Sequence, residues 1–265
     1  FDLTVARTYD RIARENNGKV RVHVKIDTGI GRLGVLPDDA LTLFRNLLSL
    51  KNIEVEGIYT HFSVADEKSD HTANQLTTFK NLLRDIQALG YKFKYIHAGN
   101  SAGTLAHPDG HFTMARTGAA MYGIHPSPIV SLPTDYNPVM SWKTIIAQVK
   151  TLPPNHPIGY GNTYTTQTHE TIAVIPVGYA DGFRRAPHSW REVLVHGQRA
   201  KVIGRVSMEK SVISISHIPD VSVGDEVVLL GKQGNDHITA EEIASQLGTI
   251  SYEVVCSVLP RVPRR

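Results

Sequence analysis

The feature that most constrains this chain is a change of period near its middle. In the first half, strand-like alternation and helical spacing take turns; in the second, strand-like runs crowd together. Residues 19–27 (KVRVHVKID) alternate strictly. Val20, Val22, Val24 and Ile26 share one face and Arg21, His23, Lys25 and Asp27 the other, the two-residue period of a strand. Pro37, Asp38 and Asp39 then open a run with Leu41, Phe44, Leu47 and Leu48 at helical spacing, and the early acids suit a helix N-terminus. Residues 54–62 read as the next strand. Residues 70–89 read as a helix with Leu76, Phe79, Leu82, Leu83 and Ile86 on one stripe. Residues 93–98 and 112–116 read as further strands, and 3–5 as the tail of an earlier one. Five βα-type units in roughly 120 residues imply a parallel sheet or barrel.

Beyond a proline-rich linker at 125–138, strand-like runs at 144–152, 171–177, 192–196, 202–206, 211–215 and 226–230 are mostly separated by Gly or Pro, as in an all-β domain. Only 239–247 reads as helical, with Thr239 as cap and Glu242 three residues on. The expected division is 1–134, α/β, and 135–265, mainly β. Composition narrows the function classes. The 265 residues are 41% hydrophobic, an ordinary globular value, and 28 basic against 25 acidic residues are too even for a nucleic-acid footprint. No apolar run approaches the ~18–20 residues that span a bilayer, so neither nucleic acid nor membrane is an expected partner. The single cysteine, Cys256, has no internal partner for a disulfide, which fits a reducing, cytoplasmic setting.

Several short motifs carry chemistry, each with a plainer reading. Gly29-Ile30-Gly31-Arg32-Leu33-Gly34 matches the dinucleotide fingerprint, but Pro37 delays the helix that should begin inside the glycines. A tight turn is expected instead, with Arg32 as a bidentate donor to a carboxylate or phenolic oxygen. Gly99-Asn100-Ser101-Ala102-Gly103 matches a nucleophile elbow. Its acid and histidine would have to be Asp181 with His188 or Asp220 with His237, both in the β-rich half, so a serine holding an anion is the better expectation. Arg116-Thr117-Gly118-Ala119-Ala120 offers further backbone amides to a phosphate. His61 and His97 fall at strand C-termini, the functional rim of a TIM-type barrel. Thirteen histidines show no metal-ligand spacing, so no metal site is expected. Tyr160 and Tyr179 each lie in glycine-rich turns, where a structural role is the commoner one.

Taken together these segments lose their anonymity. VKIDTGIGRLGV (24–35), GIYTHFSVADE (57–67), HAGNSAGTL (97–105), ARTGAAMYG (115–123), GYGNTYTT (159–166), IPVGYADGF (175–183), GRVSMEKS (204–211) and SYEVVC (251–256) occur in that order. In combination they resemble bacterial alanine racemase, a pyridoxal-phosphate enzyme that interconverts L- and D-alanine and supplies D-alanine for peptidoglycan. The resemblance implies a TIM-like barrel, a following β domain and a head-to-tail homodimer with shared sites. By position, it makes Tyr160 a catalytic acid–base residue given to the partner's barrel and His61 the histidine beside it. It places Arg116 at the pyridine nitrogen. Ser101, the amides of Gly118 and Ala119, and Tyr252 would hold the phosphate, with His97 in the same cofactor-binding group. Arg32, Met208 and Tyr179 would meet substrate, and Lys25 would be a carbamylated lysine bracing Arg32.

Two departures accompany the resemblance. Ser207-Met208-Glu209 stands where the family usually has Cys-Met-Asp, and the extra methylene of Glu209 is expected to crowd or reshape the substrate mouth. The family's cofactor-bearing lysine, which serves the opposite face, lies in a lysine-alanine-asparagine-alanine-tyrosine-glycine-like stretch with no match in this chain. Because a TIM barrel has eight βα units, the count of five carries the expectation that about three precede Phe1. Two other readings compete: a serine-type racemase of the same family, against which the bulky Tyr252 weighs, and a non-catalytic fragment.

Overall fold

The structure is a computed structural model that describes residues 1–186 and 190–265; His188, nominated above with Asp181, lies outside the described residues. The chain divides into two compact units, Phe1–Met121 with His125–Pro133, and Tyr122–Ile124 with Thr134–Arg265.

The first unit opens with a helix, not a strand tail. Helix α1 (Leu3–Glu15) begins because Asp2 accepts hydrogen bonds from the Thr4 and Val5 amides, and Leu3 and Ala6 pack on the unit's core. Strand β1 (Val20–Lys25), helix α2 (Pro37–Leu47), strand β2 (Ile53–Tyr59), helix α3 (His71–Ala88), strand β3 (Tyr95–His97) and helix α4 (Ser101–Ala106) follow. The strands form a parallel sheet in sequence order, with a register shift in β1 between Val22 and His23. Val24, Ile26 and Ile58 bury one sheet face against Phe44 of α2 and Phe79 and Ile86 of α3. Lys25 and Asp27, on the polar face of β1, are buried as well, so both faces are covered at that end. The expected strand at 112–116 does not form. Phe112 has φ +47°, and among the described residues the segment makes two backbone–backbone bonds to its neighbours, Thr113 N–H to Ile96 O and Arg116 N–H to Gly99 O, while Thr113 Oγ1 accepts the Ile96 amide. Of the five expected units, three supply sheet strands.

The second unit holds strands β4 (Trp142–Ile145), β5 (Gln148–Leu152), β6 (Pro157–Ile158), β7 (Tyr164–Thr165), β8 (Glu170–Ile175), β9 (Glu192–Val195), β10 (Gln198–Ile203), β11 (Ser211–Ser214), β12 (Glu226–Gln233) and β13 (Asp236–Ile238). Its large sheet runs β13-β12-β9-β10-β11-β8-β5, with β4 also on β12, and its pairs are antiparallel. The single run expected at 144–152 is thus two strands that pair with different partners. Helix α5 (Ala240–Leu247) starts where expected, Thr239 Oγ1 accepting from the Glu242 amide at 3.1 Å. A second helix, α6 (Ser251–Cys256), follows beyond the one that the sequence pattern predicts. The core carries Trp142, Phe183 and Trp190 in mutual contact, with Trp190 Nε1 donating to Leu229 O.

Candidate active site

In the first unit the candidate residues gather at the C-terminal edge of the parallel sheet, where open and barrel α/β folds place their chemistry. Lys25, Tyr59 and His97 are the last residues of β1, β2 and β3. Arg116 reaches across them. Its Nη1 donates to His97 Nδ1 at 2.6 Å, and its Nη2 lies within bonding distance of His61 Nδ1, Thr60 O and Ala98 O at 3.0, 3.0 and 3.2 Å. None of these bonds uses the Nε–H.

This pattern fixes protonation. A guanidinium only donates, so both histidines accept at Nδ1 and carry their proton on Nε2. Burial and then the Arg116 charge push His61 down to about 4, and the same two causes push His97 down to about 3. His97 Nε2–H then donates to His23 Nδ1 at 2.8 Å, and His23 Nε2 stands 4.0 Å from Glu56 Oε2. Tyr59 stacks flat on His97, with its face toward Arg116 and Lys25 at 5.2 and 5.9 Å. Lys25 is held below the ordinary lysine range by burial and then by the positive Arg32. His23 was missed in the sequence as a site residue, although the alternation of β1 put it on the face of Lys25.

The glycine turn is closed by the chain itself. Asp27 Oδ1 accepts from the amides of Gly29, Ile30 and Gly31 at 3.0, 2.9 and 3.1 Å, and Oδ2 from Arg32 at 3.0 Å. The amides that a dinucleotide would need are already bound to this carboxylate, which agrees with the turn expected from Pro37. Gly34 has φ +133°, and a Cβ there would come 2.6 Å from the Asp27 nitrogen. The turn is therefore rigid where it presents Arg32. Gln75 of α3 ties this turn to the residues after β2: its Nε2 donates to Thr28 Oγ1 at 3.4 Å and to His61 O at 3.1 Å, and its Oε1 accepts from the Ser63 amide.

Ser101 begins α4 behind the cap Asn100, whose Oδ1 accepts from Gly103. Ser101 Oγ accepts from the Gly118 amide at 2.9 Å and the Ala120 amide at 3.3 Å. Ala120, beside the expected Gly118 and Ala119, is thus the second amide turned toward this hydroxyl. An oxygen engaged as an acceptor suits an anion site better than a base-activated nucleophile.

In the second unit Tyr160 sits in a 3₁₀ turn between Gly159 and Gly161, both at φ +74°, with 65% of its surface exposed. The Arg185 guanidinium lies 5.7 Å from its ring centroid. Tyr179 and Met208 are neighbours, because the Tyr179 amide donates to Ser207 O and the Ala180 amide to Met208 O. Tyr252 lies on α6 and is half-buried.

An alanine racemase from Clostridium difficile 630 superposes with TM-score 0.92 at 38% identity, over 99% of this chain and 68% of that one. The alanine racemase from D-cycloserine-producing Streptomyces lavendulae gives 0.93 at 33%, over 99% and 70%. The fold is accordingly a TIM-like α/β barrel, of which this chain holds part, followed by a mainly β domain, and the protein is an isomerase of that build. The alanine racemase of Symbiobacterium thermophilum is 43% identical over 265 residues, the whole of this chain and 70% of that protein. Residues 1–126 match the family described as alanine racemase, N-terminal domain, and 139–265 that described as alanine racemase, C-terminal domain. The chain belongs to the alanine racemase family.

Proposed function

We propose that this chain serves the pyridoxal-phosphate-dependent interconversion of L-alanine and D-alanine, feeding D-alanine to peptidoglycan, within a homodimer whose sites draw on both subunits. The carrying observation is the Arg116 fork held over two neutral histidines at the edge of the parallel sheet. The donor set fits the cofactor. Ser101 Oγ and the Gly118 amide bond each other at 2.9 Å and would both turn to a phosphate; a Cβ on Gly118 would meet only Ser101 Oγ, at 3.9 Å, so the space above it is open. Arg116 would donate to the pyridine nitrogen, with Tyr252 completing the phosphate group and His97 bracing Arg116. When bound, pyridoxal phosphate supplies an electron-withdrawing ring that acidifies the Cα–H of a joined amino acid.

The residues divide the remaining work. Tyr160 Oη, given to the partner subunit's barrel, would exchange the Cα proton on one face, beside the partner's His61. Arg32, held by the Asp27-bound turn, binds the substrate carboxylate. Lys25, its neutral amine favoured by burial and by Arg32, is suited to carbamylation, and the resulting carboxylate would brace Arg32. Tyr179 and Met208 border the substrate mouth. The exposure of Tyr160 and Met208, 65% and 56%, supports their being offered to a second copy. The relative from Bacillus anthracis was solved "with bound L-Ala-P" at 35% identity and TM-score 0.89, which favours alanine over serine. The opposite-face lysine of the family has no matching stretch here, so the chain by itself is expected to bind without turning over.

The test is cofactor binding followed by turnover. Pyridoxal phosphate should bind this chain with ³¹P resonances that move, and Ser101→Ala should weaken that binding roughly tenfold. The full gene product should racemise L-alanine, and Tyr160→Phe should abolish exchange of one Cα face. Absence of binding, or tighter binding by Ser101→Ala, would sink the reading.

A further inference from the structure

Three segments of the second unit meet behind Tyr179 and Met208. Gly178 backs onto the 207–210 turn so closely that a Cβ there would lie 2.2 Å from Ser207 O. Gly182, at φ +102°, backs onto the segment after α6, where a Cβ would lie 2.1 Å from Ser257 O. Between them, the Asp181 carboxylate accepts the Gly178 amide at 2.9 Å, and its carbonyl accepts the Leu259 amide at 3.0 Å. One side chain joins all three segments. Arg261 Nε lies 3.0 Å from Asp181 Oδ1, and its Nη1 lies 3.0 Å from Glu209 Oε1.

We propose that Arg261 is a positioning residue for the substrate mouth, its guanidinium fixing the spacing of Tyr179 and Met208 by bridging Asp181 and Glu209. The proposal rests on the placement of Tyr179 and Met208 given under the proposed function. Asp181 is neighbour-but-one to Tyr179 and Glu209 is adjacent to Met208, so each end of the bridge controls one mouth residue. Asp181 is 8% exposed and fixed by the Gly178 amide, which makes it the rigid end; Glu209 is the adjustable one. This accounts for the Glu209 departure. Its longer side chain reaches outward to Arg261, so the expected crowding of the mouth is replaced by a tether. A guanidinium suits the task because its planar fork serves two carboxylates at fixed angles, which an ammonium does not.

The experiment uses the full gene product with Arg261→Gln, Arg261→Lys and Glu209→Gln, read by amide hydrogen exchange and by alanine kinetics. In Arg261→Gln the Tyr179 and Ala180 amides should exchange roughly tenfold faster, while Ala173 in β8 keeps its protection. The KM for alanine should rise about five- to twentyfold with kcat within about twofold, because a loosened mouth loses binding that ground and transition states share. Glu209→Gln should move both readouts in the same direction but less, and Arg261→Lys should recover part of each. Unchanged exchange and KM in Arg261→Gln overturn the proposal, and so does equal loss of protection at Ala173, which would make Arg261 a general stability residue. If the unsubstituted gene product fails to racemise alanine, the racemase reading falls and this role falls with it. Wild-type turnover with an indifferent Arg261→Gln removes the clamp alone.

Discussion

Asp27 is the residue on which the barrel-side site leans most. Burial pushes its carboxyl up, yet four backbone amides outweigh that and hold it below the ordinary carboxylate range. Asp27→Ala leaves those amides without their acceptor and should cost about 2–4 kcal/mol in chemical denaturation followed by far-UV circular dichroism, with Asn recovering part. A loss under about 0.5 kcal/mol would mean that water replaces the carboxylate without penalty. The histidines bring a pH dependence. As pH falls below about 6.5, an unfolded chain protonates both rings, while the folded one resists until about 4 at His61 and about 3 at His97. The folded state thus binds fewer protons across that interval, and its stability declines as pH falls through it. Between pH 7 and 5 a loss of roughly 3–4 kcal/mol is expected, and His97→Gln should flatten the slope; stability flat over this range would contradict the lowered histidines. The residue types of this site were readable in the sequence, since Lys25, His61, His97, Ser101 and Arg116 stand in motifs. His23 was visible only as a member of an alternating face, and Asp27, although inside the 24–35 motif, had no role there; nothing local announces that the polar face of a strand will be the buried, working one.

At the scale of elements, periodicity served long segments and failed short ones. Helices α2, α3 and α5 have apolar stripes with clear starts, and each forms close to its expected bounds. Residues 3–5 read as strand because Thr4 and Val5 are β-branched, but the Asp2 cap and the packing of Leu3 and Ala6 override that propensity. The run at 144–152 looked continuous because a change of sheet partner leaves no mark on hydrophobic alternation; the break falls at Ile146 and Ala147, which bond to Asp225 and Val174 respectively. Helix α6 escaped because its six residues are too few for a stripe to show. The cap of α5 offers a clean element-level test. Thr239→Ala should destabilise the second unit by about 1 kcal/mol while Thr239→Ser stays near neutral, as measured by denaturation midpoints. Equal midpoints for Ala and Ser would show that the cap bond contributes nothing.

For the molecule as a whole, the change of period at mid-chain marks the passage from one compact unit to the other, and the two cores are separate clusters. What sequence does not reveal is strand order. The large sheet places β12 beside β9 and β5 beside β8, pairings across long stretches of chain that side-chain pattern alone leaves undetermined. The tryptophans are divided just as unevenly. Both, Trp142 and Trp190, lie in the second unit, 4% and 1% exposed. Indole emission from this protein is therefore an optical label that nature has attached to the β unit alone, blue-shifted while that core is dry and moving to the red when water enters. The barrel side, where most of the proposed cofactor residues lie, is dark at that wavelength. An added chromophore bound there would stand out against a quiet background.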